Sequence, residues 1–256
     1  MSDACNRTPF WQRQPALPLA IQAFLRARLE AALADPARRD GLVWPTILGA
    51  PRLREAHPEG LPDSALFNHA TPMLTALGQA DAATAWQAHI QAWPDTAEAG
   101  ATGWRPAAVW GAWGPLVSLR MGWQLAALTP LPLDESYPLA CGVSLFNHGL
   151  FHECHDALEP LWSEASGDLR DRLQGLILLA AGYHHLQQHN LAGLMPVWEE
   201  ALRRLDGGRV ETPWGRVDAA AAVALTTRRL GLAATLPKDS DLGALWALER
   251  PTWELR

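Results

Sequence analysis

Histidine and carboxylate side chains are concentrated in one short part of the chain. Six of the nine histidines lie between positions 148 and 189. Residues that recur at steps of three and four lie on one face of a helix, and such steps connect a set that we call the histidine face: His148, His152, His155, Glu159 and Trp162. His155 and Glu159 would project from adjacent turns, and such pairs can hold a divalent metal ion that activates water for hydrolysis.

A second helix is predicted to lie opposite the histidine face. Helical steps connect four of its positions: Gln174, Ala181, His185 and Gln188. If the intervening turn is centred near Gly167, antiparallel pairing places Glu159 level with Gln174, and His148 level with His185. The sequence therefore predicts two polar sites, about 10 Å apart along the helix axis. The members of the first are His155, Glu159 and Gln174, and those of the second are His148 and His152 with His184 or His185.

Two functional interpretations of these sites stay open. In the first, they form a structural seam in a non-catalytic binding module, because an imidazole N–H and a carboxylate satisfy each other without a metal ion. In the second, His155 and Glu159 bind the divalent metal ion of a hydrolase, with Gln174 and His185 as additional ligands or supporting groups. Glu153 fits neither site, because it points about 160° away from His155 on an ideal helix. The sequence presents neither a serine hydrolase triad nor a glycine-rich phosphate loop.

The segment that contains the histidine face resembles a known family. The stretch FNHGLFHECHDALEPLW at 146–162, with LQGLI at 173–177 and NLAG at 190–193, is similar to the signature of the domain of unknown function 309 family, over residues about 145–205. The resemblance implies a compact all-helical domain, of a kind often labelled a predicted metal-dependent hydrolase. It also implies a polar motif at Glu153, His155, Glu159, Gln174 and His185. His148 and His152 lie where the family pattern is loose, and Asp156 stands where many members have glutamate.

Helices must position these residues, because apolar side chains recur at spacings of three and four while strict alternation is nearly absent. We predict helices over 20–34, 70–93, 106–128, 142–163, 168–189, 191–205 and 218–232. The first helix should stop at Asp35-Pro36. Four prolines predict a loop over 42–62, and glycines predict a turn-rich connection over 207–215. The expected fold is all-α: a multi-helical bundle in which a C-terminal helical hairpin domain packs with an N-terminal helical region.

Prolines around position 134 suggest a boundary between two halves of the chain. We predict an N-terminal helical region of unknown role over 1–135. A domain related to the 309 family follows over 139–235, and a C-terminal tail covers 236–256. Because the resemblance does not reach the N-terminal region, it implies nothing about the role of that region.

The composition limits the classes of partner. The chain of 256 residues is 48% hydrophobic and 19% charged, as in globular proteins, and its net charge is −6 with a single lysine. Since no basic cluster stands out, we expect no nucleic-acid partner. No leader peptide and no apolar run of about 18 residues is evident, which predicts a cytoplasmic protein without a membrane contact. Three cysteines are too few for a disulfide framework. A protein partner, a homo-oligomer or an unidentified small ligand stays open.

Overall fold

A computed structural model describes residues 17–79, 81–237 and 240–256 of the chain. The described residues divide into two compact units, 17–130 and 131–256, and each is described by itself. Within these residues α-helices dominate and the β-strands are short, so the predicted all-α, multi-helical fold is confirmed. Every described helix is too short or too polar to cross a lipid bilayer.

Helices and one small hairpin build the N-terminal unit. The helices are α1 Leu19–Ala34, α2 Asp40–Leu48, α3 Pro51–Ala56, α4 Asp63–Ala76, α5 Ala82–Ala92 and α6 Gly114–Leu128, and the antiparallel strands are β1 Ala97–Ala99 and β2 Trp104–Pro106. α1 ends directly before Asp35-Pro36, as predicted, because proline disfavours helical backbone in the residue before it. A 3-10 turn over 108–113 precedes α6, so this helix begins later than position 106.

The prediction of a loop over 42–62 is wrong, because α2 and α3 occupy much of that range. Pro51 lies in the first turn of α3, where a helix does not need the missing N–H. α2 is buried over most of its length, including Trp44 and Pro45. Burial of its apolar side chains therefore outweighs the hydrogen bond that Pro45 cannot donate.

The single helix predicted over 70–93 is in fact two helices. α4 ends at Ala76, and Gly78 then adopts a left-handed conformation, with φ of 77°, that ends helical backbone. Asp81 starts α5, because its carboxylate accepts a hydrogen bond from the Ala83 N–H and caps the first turn. A glycine and a capping aspartate thus place the break.

Aromatic side chains form the core of the N-terminal unit around α2 and α5. The rings of Trp44 and Trp86 lie 4.9 Å apart between centroids, and His89 stacks on Trp86 at 5.8 Å. His89 is 3% exposed, and its Nε2 lies 3.2 Å from Thr96 Oγ1. Arg28 is also buried and donates a hydrogen bond to the same hydroxyl oxygen. This core therefore holds an imidazole close to a buried positive charge.

The C-terminal unit contains the segment with the histidine face. Its helices are α7 Tyr137–Asn147, α8 Phe151–Glu164, α9 Gly167–Gln187, α10 Leu191–Arg204, α11 Ala220–Ala233 and α12 Gly243–Trp246. Its strands are β3 Arg209–Thr212, β4 Gly215–Asp218 and β5 Glu254–Leu255, which pair antiparallel in that order. The helices predicted to start at 168, 191 and 218 are confirmed, with ends that differ by at most two residues.

Two predictions for this unit are wrong. The helix predicted over 142–163 is interrupted, because Gly149 adopts a left-handed conformation with φ of 74° between α7 and α8. The connection predicted over 207–215 contains strand β3 and the turn of the β3–β4 hairpin. The first difference affects the site, because it separates His148 from the helix that carries the other residues of the histidine face.

α9 lies between α8 and α10 and packs on both. Antiparallel packing of α8 and α9 brings the end of α9 to the start of α8, where Gln187 Nε2 donates a 2.8 Å hydrogen bond to the carbonyl of Gly149. On the other side, Trp198 of α10 covers Gly182 so closely that a Cβ there would lie 2.2 Å from the indole Cδ1. Glycine at position 182 therefore sets how closely α10 can approach α9.

Hydrogen bonds fix the C-terminal segment to this helical core. Arg229 of α11 is fully buried and donates to the carbonyl of Leu245 and to the hydroxyl of Tyr183. Asn147 exchanges two 2.8 Å hydrogen bonds with the backbone of Trp253. The segment predicted as a tail therefore contributes to the packed structure of this unit.

Candidate metal-binding site

α8 presents four chemically competent side chains on one face. They stand at helical steps of three, one and three: His152, His155, Asp156 and Glu159. Because side chains three and four residues apart are neighbours on a helix surface, the helix alone brings them together. His148 is not part of this face, since it follows the last residue of α7.

His152, His155 and Asp156, which we call the His–Asp cluster, offer donor atoms that lie close together. One candidate ligand atom from each lies within 4.8 Å of the other two. Asp156 Oδ1 lies 3.2 Å from His155 Nδ1 and 3.7 Å from His152 Nδ1. The Asp156 side chain is 7% exposed, while those of His152 and His155 are 43% and 29% exposed. The cluster thus has a buried carboxylate at its base and imidazoles that solvent can reach.

His155 and Glu159, the predicted metal pair, are neighbours through the other ring nitrogen. His155 Nε2 lies 4.0 Å from Glu159 Oε1, and the Glu159 side chain is half exposed. That separation permits a charge pair but is too long for a hydrogen bond. Asp156 and Glu159 therefore approach His155 at different nitrogens. A single ion bound to Nδ1 would have Asp156, rather than Glu159, beside it.

Gln174, the other member of the first predicted site, lines a separate cavity of about 280 Å³ near the turn between α8 and α9. Its remaining lining residues are Trp162, Gly167, Arg170, Asp171 and Arg204. The Arg170 guanidinium lies 4.1 Å from the ring centroid of Trp162. Among the described residues, no hydrogen bond joins Gln174 to His155 or Glu159.

The second predicted site is divided between different surroundings. His148 Nδ1 donates a 2.8 Å hydrogen bond to the carbonyl of Ser144. Burial lowers the pKa of His148, and the charge of Arg250 lowers it further, although the hydrogen bond to Ser144 acts to raise it. His185 Nδ1 lies 3.2 Å from Asn190 Nδ2, and burial lowers the pKa of His185.

His152 and His184, two of the residues named for the second predicted site, lie together. Their ring centroids are 5.1 Å apart, and the ring planes are inclined by 31°. His152 also belongs to the His–Asp cluster, where its ring centroid lies 6.3 Å from that of His155. His152, a member of the second predicted site, thus lies beside His155, a member of the first.

Two neighbours of the cluster on α8 are buried. Glu153 is 4% exposed, so its carboxylate is shielded from solvent. Cys154 is fully buried, and burial raises the pKa of its thiol well above the ordinary value, so a reactive thiolate is disfavoured. The candidate metal ligands of α8 therefore lie on its histidine-bearing face.

Asp156 is the site residue that the sequence reasoning did not assign. The available signal was its spacing, since it stands four residues after His152 and next to His155. The same spacing relates His155 to Glu159. The polar motif that the family resemblance implies does not include Asp156, which stands where many members have glutamate.

Comparison with known proteins assigns this segment to a family. The model of the family described as Domain of unknown function (DUF309) matches residues 139–197, which run from α7 into α10. The match confirms the resemblance seen in the sequence and includes the whole His–Asp cluster. It spans 59 of the 256 residues and leaves the N-terminal unit outside. No curated protein and no solved structure matches the chain.

Proposed function

We propose that the DUF309 domain of this chain is a binding module for a divalent transition-metal ion. The ligands are the imidazoles of His152 and His155 and the carboxylate of Asp156. The observation that carries the proposal is the convergence of one donor atom from each within 4.8 Å. Two imidazole nitrogens with one carboxylate oxygen suit zinc, iron or manganese.

The separations between donor atoms fit a single ion. Nitrogen and oxygen ligands lie about 2 Å from zinc, so two ligands of a tetrahedral ion are roughly 3.4 Å apart. The distances of 3.2 Å and 3.7 Å from Asp156 Oδ1 to the two Nδ1 atoms lie on either side of that value. Small rotations of the imidazoles would therefore bring all three donors to the ion.

The exposure of the imidazoles supports metal binding. With side chains 43% and 29% exposed, His152 and His155 can be reached by an ion from solvent. The Asp156 side chain is 7% exposed, so water screens the attraction between its carboxylate and a bound cation only weakly. Access from solvent and a charged donor at the base of the cluster are both properties that a metal site requires.

Glu159 supports the site without binding the ion. If Nδ1 of His155 is the ligand atom, Nε2 carries the proton and points toward Glu159, whose carboxylate lies 4.0 Å away. Carboxylates in that position fix the tautomer and orientation of a ligand histidine. We expect Glu159→Gln to weaken metal binding by roughly tenfold, less than the loss of a ligand. Glu159→Asp, which keeps the carboxylate, should retain more affinity than Glu159→Gln.

Metal analysis tests the proposal directly. Protein prepared without a chelator or a polyhistidine tag is analysed by mass spectrometry for bound metal, and zinc affinity is measured by competition with a chromophoric chelator. Asp156→Asn removes one ligand charge with little change of shape, and we expect roughly a hundredfold loss of affinity or more. Glu164→Gln is the matched control, because it removes an exposed carboxylate from the same helix. Equal affinity of wild type and Asp156→Asn, or no zinc binding by wild type, would refute the proposal.

Hydrolysis is the second candidate function. The observation that favours it is the number of protein ligands, because three ligands leave a coordination position open for water. A bound ion would lower the pKa of water at that position. The test is hydrolysis of p-nitrophenyl acetate and bis(p-nitrophenyl) phosphate by zinc-loaded protein. Turnover that Asp156→Asn abolishes would support catalysis, and equal rates with and without the cluster would contradict it.

A further inference from the structure

His184 stands next to the His–Asp cluster but comes from a different helix. The three cluster residues lie on α8, whereas His184 lies on α9, three residues before the end of that helix. The antiparallel packing of α8 and α9 places its ring 5.1 Å from that of His152, centroid to centroid. His184 is half-buried in this position. An ion held by the cluster would therefore lie close to an imidazole of the neighbouring helix.

The spacing of these two rings matches that of two imidazoles on one ion. Each ligand nitrogen lies about 2 Å from zinc and about 1 Å from the centre of its own ring, so the ring centres of two ligands at a tetrahedral angle are about 5 Å apart. The observed separation of 5.1 Å for His152 and His184 agrees with this value. His152 and His155, the two imidazoles of the proposed site, are wider apart at 6.3 Å, so their rings must turn toward each other to share the ion.

We infer that His184 is a fourth ligand, so that the ion connects α8 to α9. This inference rests on the metal binding proposed above. The rings of His152 and His184 have the spacing that two ligands of one ion would show, and a change of the His184 side-chain torsions would turn one of its ring nitrogens toward that ion. Three imidazoles and one carboxylate then fill the four positions of a tetrahedral zinc ion.

A fourth ligand changes what the site can do. Four protein ligands close a zinc site, whereas catalytic zinc keeps a position for water or substrate. With His184 bound, the site acts as a clip between two helices, and the free energy of metal binding adds to the stability of the helical hairpin. The closed arrangement favours the binding module over the hydrolase.

Cobalt substitution tests the ligand set. The energies and intensities of the visible bands of cobalt(II) depend on its coordination number and on the identity of its donors, and bound water counts as a donor. We expect intense, four-coordinate bands for the wild-type protein. In His184→Ala water can take the vacated position, so we expect shifted bands and a cobalt affinity lower by roughly tenfold or more. His189→Asn is the matched control, because it removes a nearby histidine and asparagine tolerates the positive φ of 53° at that position.

The outcomes separate this inference from the proposed function. Unchanged bands and affinity in His184→Ala would overturn the fourth ligand and leave the three-ligand site standing. Failure of wild-type protein to bind cobalt would refute the metal site itself. If His184→Ala does not fold, nitrogen NMR of the zinc-loaded wild-type protein decides the question. A metal-induced shift of an His184 ring nitrogen supports the inference, and its absence while His152 shifts overturns it.

Discussion

Mild acid is expected to destabilise the N-terminal unit through His89. Burial, and then the charge of Arg28, lower the pKa of His89 from 6.5 to about 3. The folded unit therefore keeps this imidazole neutral at a pH where the unfolded chain protonates it. The stability that depends on neutral His89 is fully present above about pH 6.5. It is lost as the pH falls from there toward 3, because only the unfolded state takes up the proton in that range.

The size of the effect follows from the pKa difference. Each pH unit below the unfolded pKa costs about 1.4 kcal/mol until the folded pKa is reached. At pH 5.0, about 1.5 units below the unfolded value, His89 should lower the free energy of unfolding by about 2 kcal/mol. That amount is a large fraction of the stability of an ordinary domain.

A variant isolates this contribution from the other titrating groups. In His89→Gln the side chain can still bond to Thr96 but does not titrate, and its packing cost is present at both pH values and cancels. Urea unfolding is measured near pH 7.5 and pH 5.0, with hydrogen exchange of peptides from α5 as the readout. Between these two pH values the free energy of unfolding should fall by about 2 kcal/mol less in His89→Gln than in wild type. His69→Gln, at an exposed position of the same unit, is the control and should decline like wild type. If the free energy of unfolding falls equally in wild type and His89→Gln, the titration of His89 is not what destabilises the unit in acid.

Two further predictions concern the C-terminal unit, and urea denaturation measures both. Arg229→Gln leaves buried carbonyl groups without their donor and should lower the free energy of unfolding by about 2–4 kcal/mol. Arg228→Gln, at the exposed neighbouring position, should change it little. Similar losses in the two variants would contradict a stabilising role for the buried hydrogen bonds of Arg229. Gly182→Ala inserts a methyl group 2.2 Å from Trp198 and should cost about 1–3 kcal/mol, whereas Gly231→Ala, with open space around its Cβ, should stabilise α11 by roughly 0.5–1 kcal/mol. A neutral Gly182→Ala would show that α9 and α10 do not pack this closely.

Helical periodicity made the fold class and the histidine-bearing helix predictable. The effect of the spacing of three and four from His152 to Glu159 depends only on the geometry of an α-helix, so the sequence alone predicts that these side chains share one face. The signature around them is likewise local, and the family match confirmed it. The end of α1 at a proline was predictable for the same reason, because one residue restricts the backbone of its neighbour.

The breaks between helices were harder to predict, because local signals competed with burial. Prolines suggested a loop where α2 forms, since the cost of one missing hydrogen bond is visible in sequence while the burial of Trp44 is not. Conversely, Gly149 ended α7 although the apolar periodicity continued across it. Periodicity describes which residues could share a helix, and the backbone at a single glycine decides whether they do.

Within the histidine face, the sequence determined which side chains α8 presents, and only the tertiary structure decided which of them meet. His155 could pair with Glu159 one turn away or with the adjacent Asp156, and the side-chain torsions place Asp156 closer. The packing of α9 on α8 brought His184 to His152. Gln174 lines a separate cavity. Helical spacing is fixed by covalent geometry and short-range hydrogen bonds, whereas contacts between helices depend on how the two surfaces pack, which no spacing along one chain segment encodes.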